Sequence, residues 1–199
     1  RGAVWVGHFQ AGLDYSLYQN GLFRTYAYPP LFNSANLSIR SFISRGQEKV
    51  IGSRDGLFYI NEATGMVKSF VKPVLTSDLI LTISFYQGEY YIGTYGGGMM
   101  VLNPETLSLK YFSQSDTELF QKGHIFCVKP DTKGNLWIGT SQGLFNYNGQ
   151  TKQIKLFTSA NSQLPEGNVY EVSFDSTGKG WIATETGMCI YDPASQNLR

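Results

Sequence analysis

The chain has 199 residues, 42% of them apolar and 15% aromatic, enough for a sizeable core. Its formal net charge is +1, with Lys and Arg scattered rather than gathered into a basic stripe, which excludes an ordinary nucleic-acid binder. No apolar run approaches the about eighteen residues a membrane-spanning helix needs, and thirteen Tyr, thirteen Phe and 22 Gly suit many short strands joined by tight turns.

A short phrase returns five times: Trp5-Val6-Gly7, Val50-Ile51-Gly52, Tyr91-Ile92-Gly93, Trp137-Ile138-Gly139 and Trp181-Ile182-Ala183. The steps between third residues are 45, 41, 46 and 44. A period in the forties, filled with strand formers and glycine turns, predicts an all-β propeller of about four to five four-stranded antiparallel blades.

Taken in order, residues 1–30 read as a partial blade that lacks its inner strand, supplying 4–9, 13–18 and 22–28. The chain opens at Arg1-Gly2-Ala3 part-way through this copy and without a recognisable signal peptide, so it reads as a piece of something longer. Residues 36–72 and 78–113 form the next two blades, with Gln87-Gly88 as a short turn in the second. Residues 123–158 give the clearest copy. There His124-Ile125-Phe126-Cys127-Val128 is apolar, as an innermost strand buried on both sides should be. Asp131-Thr132-Lys133-Gly134-Asn135 turns the chain into the Trp137 strand, Ser141-Gln142-Gly143 turns it again, and Asn148-Gly149 is a hairpin signal. The last copy, 168–199, supplies three or four strands.

About eighteen strands result, where a closed seven-bladed ring needs about twenty-eight. The expected architecture is one propeller segment over 1–199, an incomplete arc of a larger, seven-bladed ring. An arc leaves blade faces uncovered and is expected to self-associate.

Asp131-x-x-Gly134-Asn135-Leu136-Trp137-Ile138-Gly139-Thr140-x-x-Gly143-Leu144 resembles the two-component regulator propeller repeat. Asp175-x-x-Gly178-x-x-Trp181-Ile182-Ala183-Thr184-x-x-Gly187-Met188 is a second match, and Tyr91 to Gly98 with Leu102-Asn103-Pro104 a third. In that family such repeats form periplasmic sensors of Bacteroides-type hybrid two-component histidine kinases, and their ligands are typically oligosaccharides. The resemblance therefore implies an extracytoplasmic, non-catalytic sensing segment whose partners are an oligosaccharide, the remaining blades and the downstream domains of a parent protein. It implies no cofactor, no nucleic acid and no membrane contact by this segment.

The repeated residues read as structural. Trp5, Trp137 and Trp181 hold one equivalent position and are expected to pack between blades, while Asp131 and Asp175 head equivalent turns. Function is expected where the repeats differ, in loops held by the scaffold. Connections between second and third strands offer His8, Gln10, Arg54, Asp55, Tyr95, Gln142 and Glu185; the linkers into the next blade offer Phe32, Asn33, Asp78, His124 and Asn168. Aromatics with amides and charged groups suit a glycan, which takes stacking and paired hydrogen bonds.

Other readings are weaker. Tyr95-Gly96-Gly97-Gly98 lies between strands without a following Gly-Lys-Ser/Thr, so it is not a phosphate loop. His8 and His124 have no companions at metal-ligand spacing, and Cys127 and Cys189 read as small buried hydrophobes, so no metal is expected. Two alternatives remain: a propeller enzyme, glycan-cleaving or streptogramin-lyase-like, and a protein-interaction scaffold. The inward strand ends are poor in the carboxylates the first requires, and the second lacks its tryptophan-aspartate dipeptide.

Overall fold

The structure is a computed structural model that describes residues 38–112 and 119–199, together with the backbone of three earlier strands. Those strands, β1 (Ala3–His8), β2 (Gly12–Leu17) and β3 (Phe23–Thr25), form an antiparallel three-stranded sheet. The chain divides into two compact units, 1–80 and 81–199.

The first unit also holds β4 (Ile39–Arg45), β5 (Glu48–Ser53), β6 (Gly56–Asn61) and β7 (Met66–Phe70), paired in chain order. The period-2 pattern puts Ile51, Phe58 and Ile60 into one buried cluster with Ile39, backed by Phe42 and Val67. Lys49 is buried beside them in sequence because its ammonium donates to the Gly46 carbonyl at 2.8 Å and pairs with Glu62 at 3.0 Å.

The second unit is three more four-stranded sheets. One comprises β8 (Ile80–Tyr86), β9 (Glu89–Thr94), β10 (Met99–Leu102) and β11 (Leu109–Tyr111). Next come α1 (Leu119–Lys122), which the repeat pattern does not anticipate, and the sheet of β12 (Ile125–Pro130), β13 (Asn135–Thr140), β14 (Gly143–Asn148) and β15 (Ile154–Phe157). The last sheet is β16 (Val169–Phe174), β17 (Gly180–Thr184), β18 (Met188–Asp192) and the two-residue β19 (Asn197–Leu198). Four antiparallel four-stranded sheets in succession are the blades of an all-β propeller fold, as the repeat predicts. The fourth strand of the last copy is β19.

Side-chain alternation divides the core of the second unit. On one face of the β12–β15 sheet, Val128, Leu136, Ile138, Phe145 and Tyr147 pack with Tyr86, Tyr91, Met99, Val101 and Phe112 of the preceding sheet. Its other face sends Cys127, Trp137, Leu144 and Phe157 against Val169, Val172, Ile182 and Cys189 of the following one. Trp137 is 1% exposed, with its ring centroid 4.5 Å from Tyr191 and 5.9 Å from both Phe157 and Phe174. Gly139 completes that contact: a Cβ there would stand 2.6 Å from Cys127 Sγ and from the Val169 carbonyl oxygen, so only a bare Cα admits the next inner strand.

Trp181 stands at the equivalent place on the last described sheet. It is 41% exposed on the last sheet, whose outer face also carries Met188 at 62%. Two of the rings that pack on Trp137, Phe174 and Tyr191, come from the following sheet. Equivalent sequence positions thus have unequal burial.

Candidate functional site

The connection between second and third strands is built the same way in all four described blades. Ser53, Thr94, Thr140 and Thr184 end β5, β9, β13 and β17, and each hydroxyl donates to a glycine carbonyl across the turn: Gly56, Gly98, Gly143 and Gly187, at 2.8–3.0 Å. The same oxygen accepts a loop N–H from Asp55, Gly97, Gln142 or Gly187, at 2.9–3.2 Å. These hydroxyls pin the loops from beneath, leaving the residue after each, Arg54, Tyr95, Ser141 or Glu185, at a fixed place on the blade rim. The small hydroxyl residue directly after the repeated phrase was the available sequence signal for this role.

A second repeated device lies at the start of the inner strands. The pairing register shifts between Ile39 and Ser41, between Ile125 and Cys127, and between Val169 and Glu171, which leaves Arg40, Phe126 and Tyr170 as bulged residues. A bulge re-aims the side chain it carries. Phe126 and Tyr170 consequently meet edge to face at 5.1 Å, and Tyr170 remains 44% exposed. His124–Val128, read as buried on both sides, is buried or half-buried throughout, whereas on the last inner strand Tyr170 and Glu171 face solvent, with Glu171 paired to Lys129 at 2.9 Å. Periodicity alone does not reveal a one-residue slip, although the aromatic out of phase in Ile125-Phe126-Cys127 was its trace.

These devices assemble a ledge in the second unit. Tyr95, 49% exposed on the β9–β10 loop, stacks on His124 with centroids 3.9 Å apart and planes 24° apart. His124 lies 6.3 Å from Phe126, which leads to Tyr170. Beyond Tyr170, Asn168 Nδ2 donates to the Tyr170 hydroxyl at 3.2 Å and to Glu185 Oε2 at 3.1 Å. The Asn168 N–H also donates to Glu185 Oε2 at 3.3 Å, and the Glu185 N–H returns to the Asn168 carbonyl at 2.9 Å. His124 Nδ1 is buried with no hydrogen-bond partner. Leaving such an atom unmet costs about 1–3 kcal/mol. The ledge combines aromatic surface, one amide and one carboxylate, drawn from three blades.

Of the residues singled out from sequence, Tyr95, His124, Asn168 and Glu185 come together here, joined by Phe126 and Tyr170, which the sequence reading did not select. Gln142 is exposed in its turn. Arg54, Asp55 and Asp78 belong to the first unit; Asp78 Oδ1 accepts the Lys72 N–H at 2.7 Å and so braces its own linker. The side chains of Trp5 and His8, and Gln10, Phe32 and Asn33, lie outside the described residues.

The turn aspartates do different work. Asp131 accepts N–H groups from Lys133 and Asn135, the Asn135 amide, and the Trp137 indole N–H at 3.0 Å, tying its turn to the core. Asp175 accepts the Thr177 and Lys179 N–H groups and the Thr177 hydroxyl, which holds its carboxyl below the ordinary carboxylate range. A concavity of about 370 Å³ at the outer strands, lined by Lys155, Phe157, Asn161 and Leu198 among others, contains no residue singled out from sequence. Among the described residues no group of three or more His, Cys, Asp or Glu is placed to hold a metal ion. No helix among them is long and apolar enough to cross a membrane.

Residues 120–142 match the model of the two component regulator propeller. The chain is similar in structure to the extracellular domain of the hybrid two component system BT3049 from B. thetaiotaomicron, with 28% identity and a TM-score of 0.73 over 99% of this chain and 26% of that one. The extracellular domain of BT4673 from the same organism aligns over the same shares, with 19% identity and a TM-score of 0.75. PorZ, a surface component of the type-IX secretion system of Porphyromonas gingivalis, shares the fold at 15% identity and a TM-score of 0.68, over 98% of this chain and 31% of that one. The comparison with curated proteins gives no match. The chain spans about a quarter of the length of the two B. thetaiotaomicron domains. Residues 120–142 thus match the two-component regulator propeller repeat, within a propeller fold similar to that of extracellular domains of B. thetaiotaomicron hybrid two component systems.

Proposed function

We propose that this chain is a non-catalytic, ligand-sensing segment of the periplasmic sensor of a hybrid two-component system, and that it detects an oligosaccharide on the ledge of Tyr95, His124, Tyr170, Asn168 and Glu185. The observation that carries the reading is the ledge itself: exposed aromatic rings beside a braced amide–carboxylate pair, held on strand ends rather than on long loops. Pyranose rings present an apolar C–H face and a rim of hydroxyls, and such a surface answers both. Glycoside hydrolysis takes two carboxyl groups flanking the bond. Here Glu185 is committed at one oxygen to Asn168, and Glu171 is paired with Lys129, which favours binding over catalysis.

The likeness to extracellular domains supports an extracytoplasmic place and a histidine kinase in the parent protein as the receiver of the signal. Occupancy acts by stabilising one arrangement of the sensor over another, to the extent that the ligand distinguishes them. The test is isothermal titration of the purified chain with a panel of plant and host oligosaccharides, alongside Tyr170→Ala. Saturable binding lost in the variant supports the reading. A panel without a binder, or binding indifferent to Tyr170, overturns it.

A further inference from the structure

We infer that the ledge selects uncharged glycans and rejects uronate- or sulfate-bearing ones, with Glu185 as the residue that sets this specificity. The inference rests on the oligosaccharide reading above and adds the chemical class.

It follows from an inventory of donors and acceptors. Both Asn168 donors that face the ledge, its N–H and its Nδ2, are already turned onto Glu185 Oε2, and Nδ2 also reaches the Tyr170 oxygen. What the pair still offers outward is acceptor capacity, at Glu185 Oε1 and Asn168 Oδ1, together with the Tyr170 hydroxyl proton. An acceptor-rich edge reads sugar hydroxyls, which donate. A carboxylate or sulfate brings only acceptors, so at this edge it meets one donor and a fixed negative charge.

The surrounding charges point the same way. Glu166 is drawn to the Glu185 loop by the Thr186 hydroxyl, which donates to its carbonyl at 2.6 Å. The ammonium of Lys129 is spent on Glu171 at 2.9 Å. A carboxylate or sulfate brought within hydrogen-bonding distance of Glu185 meets a like charge, which disfavours it.

Matched ligands separate the two claims. Galacto-oligosaccharides against galacturono-oligosaccharides, and xylo-oligosaccharides with and without glucuronic acid, differ mainly in the carboxylate. Titrations use the intact chain, with the ring signals of Tyr95, His124 and Tyr170 followed by NMR to locate binding. The expected result is that a neutral member binds and its uronate counterpart binds at least about tenfold more weakly, the size of a lost charged hydrogen bond. Glu185→Gln, which keeps shape and removes charge, is expected to weaken the neutral ligand about tenfold and to shrink the neutral-to-uronate ratio toward one. Equal or tighter binding of the uronate, or a ratio unmoved by Glu185→Gln, overturns the specificity while leaving the oligosaccharide reading standing. If neither class shifts the ledge signals, the oligosaccharide reading falls and the specificity with it.

Discussion

Trp137 and Trp181 occupy the same place in their repeats and differ in what lies over them. Trp137 packs on Phe157, Phe174 and Tyr191 and gives its indole N–H to Asp131, whereas Trp181 is half open. Truncating a buried aromatic removes its transfer free energy and leaves a cavity, which costs about 3–5 kcal/mol. Trp137→Ala is therefore expected to lose about that much stability in urea denaturation. Trp181→Ala is expected to lose no more than about 1 kcal/mol, in the range of partly exposed substitutions. Equal losses for the two would show that position in the repeat, and not cover by the next sheet, sets the energy.

Within the sheets, the strands were legible because each carries its own instruction. The β5, β9, β13 and β17 strands contain the repeated phrase, and their turns hold Gly, Asn or Asp at positions that local backbone geometry demands. The bulges at Phe126 and Tyr170 left only the out-of-phase aromatic at Phe126 as a trace, because a bulge is a relation between two strands and demands no fixed residue type. Sheet packing also governs titration. Burial between sheets pushes the Cys127 thiol up to about 12, helped by the Glu171 charge, and the Cys189 thiol up to about 11, from an ordinary value of 9.0. Burial raises the Tyr59 and Tyr91 hydroxyls in the same sense. A folded-state value above the unfolded one means that this stabilisation is complete below about pH 9 and is lost as pH climbs toward 12. Urea midpoints are expected to hold steady from neutral pH to about 9 and then fall, and Cys127→Ala is expected to fall less steeply there. An unchanged slope in that variant would remove the thiol from the account.

At the scale of the whole molecule, the face of the last sheet bearing Trp181 and Met188 is apolar surface of the kind that its neighbour buries with Trp137. Copies of the isolated chain are expected to associate through it as concentration rises in sedimentation velocity, and Trp181→Ser with Met188→Ser to shift the chain toward monomer. A monodisperse monomer at high concentration would argue against this. The ledge belongs to the same scale. Tyr95, His124, Asn168 and Glu185 were each legible as loop residues that differ between repeats, but not as neighbours, since they lie up to two blades apart in the chain. What the sequence determined by itself is the blade: alternation, turn residues and a period in the forties act over a few residues and so can be read in order. What only the tertiary structure decided is which equivalent Trp is covered, where the inner strands slip, and which loop residues meet. Each of these depends on a surface brought by a distant part of the chain, and local chemistry holds no record of it.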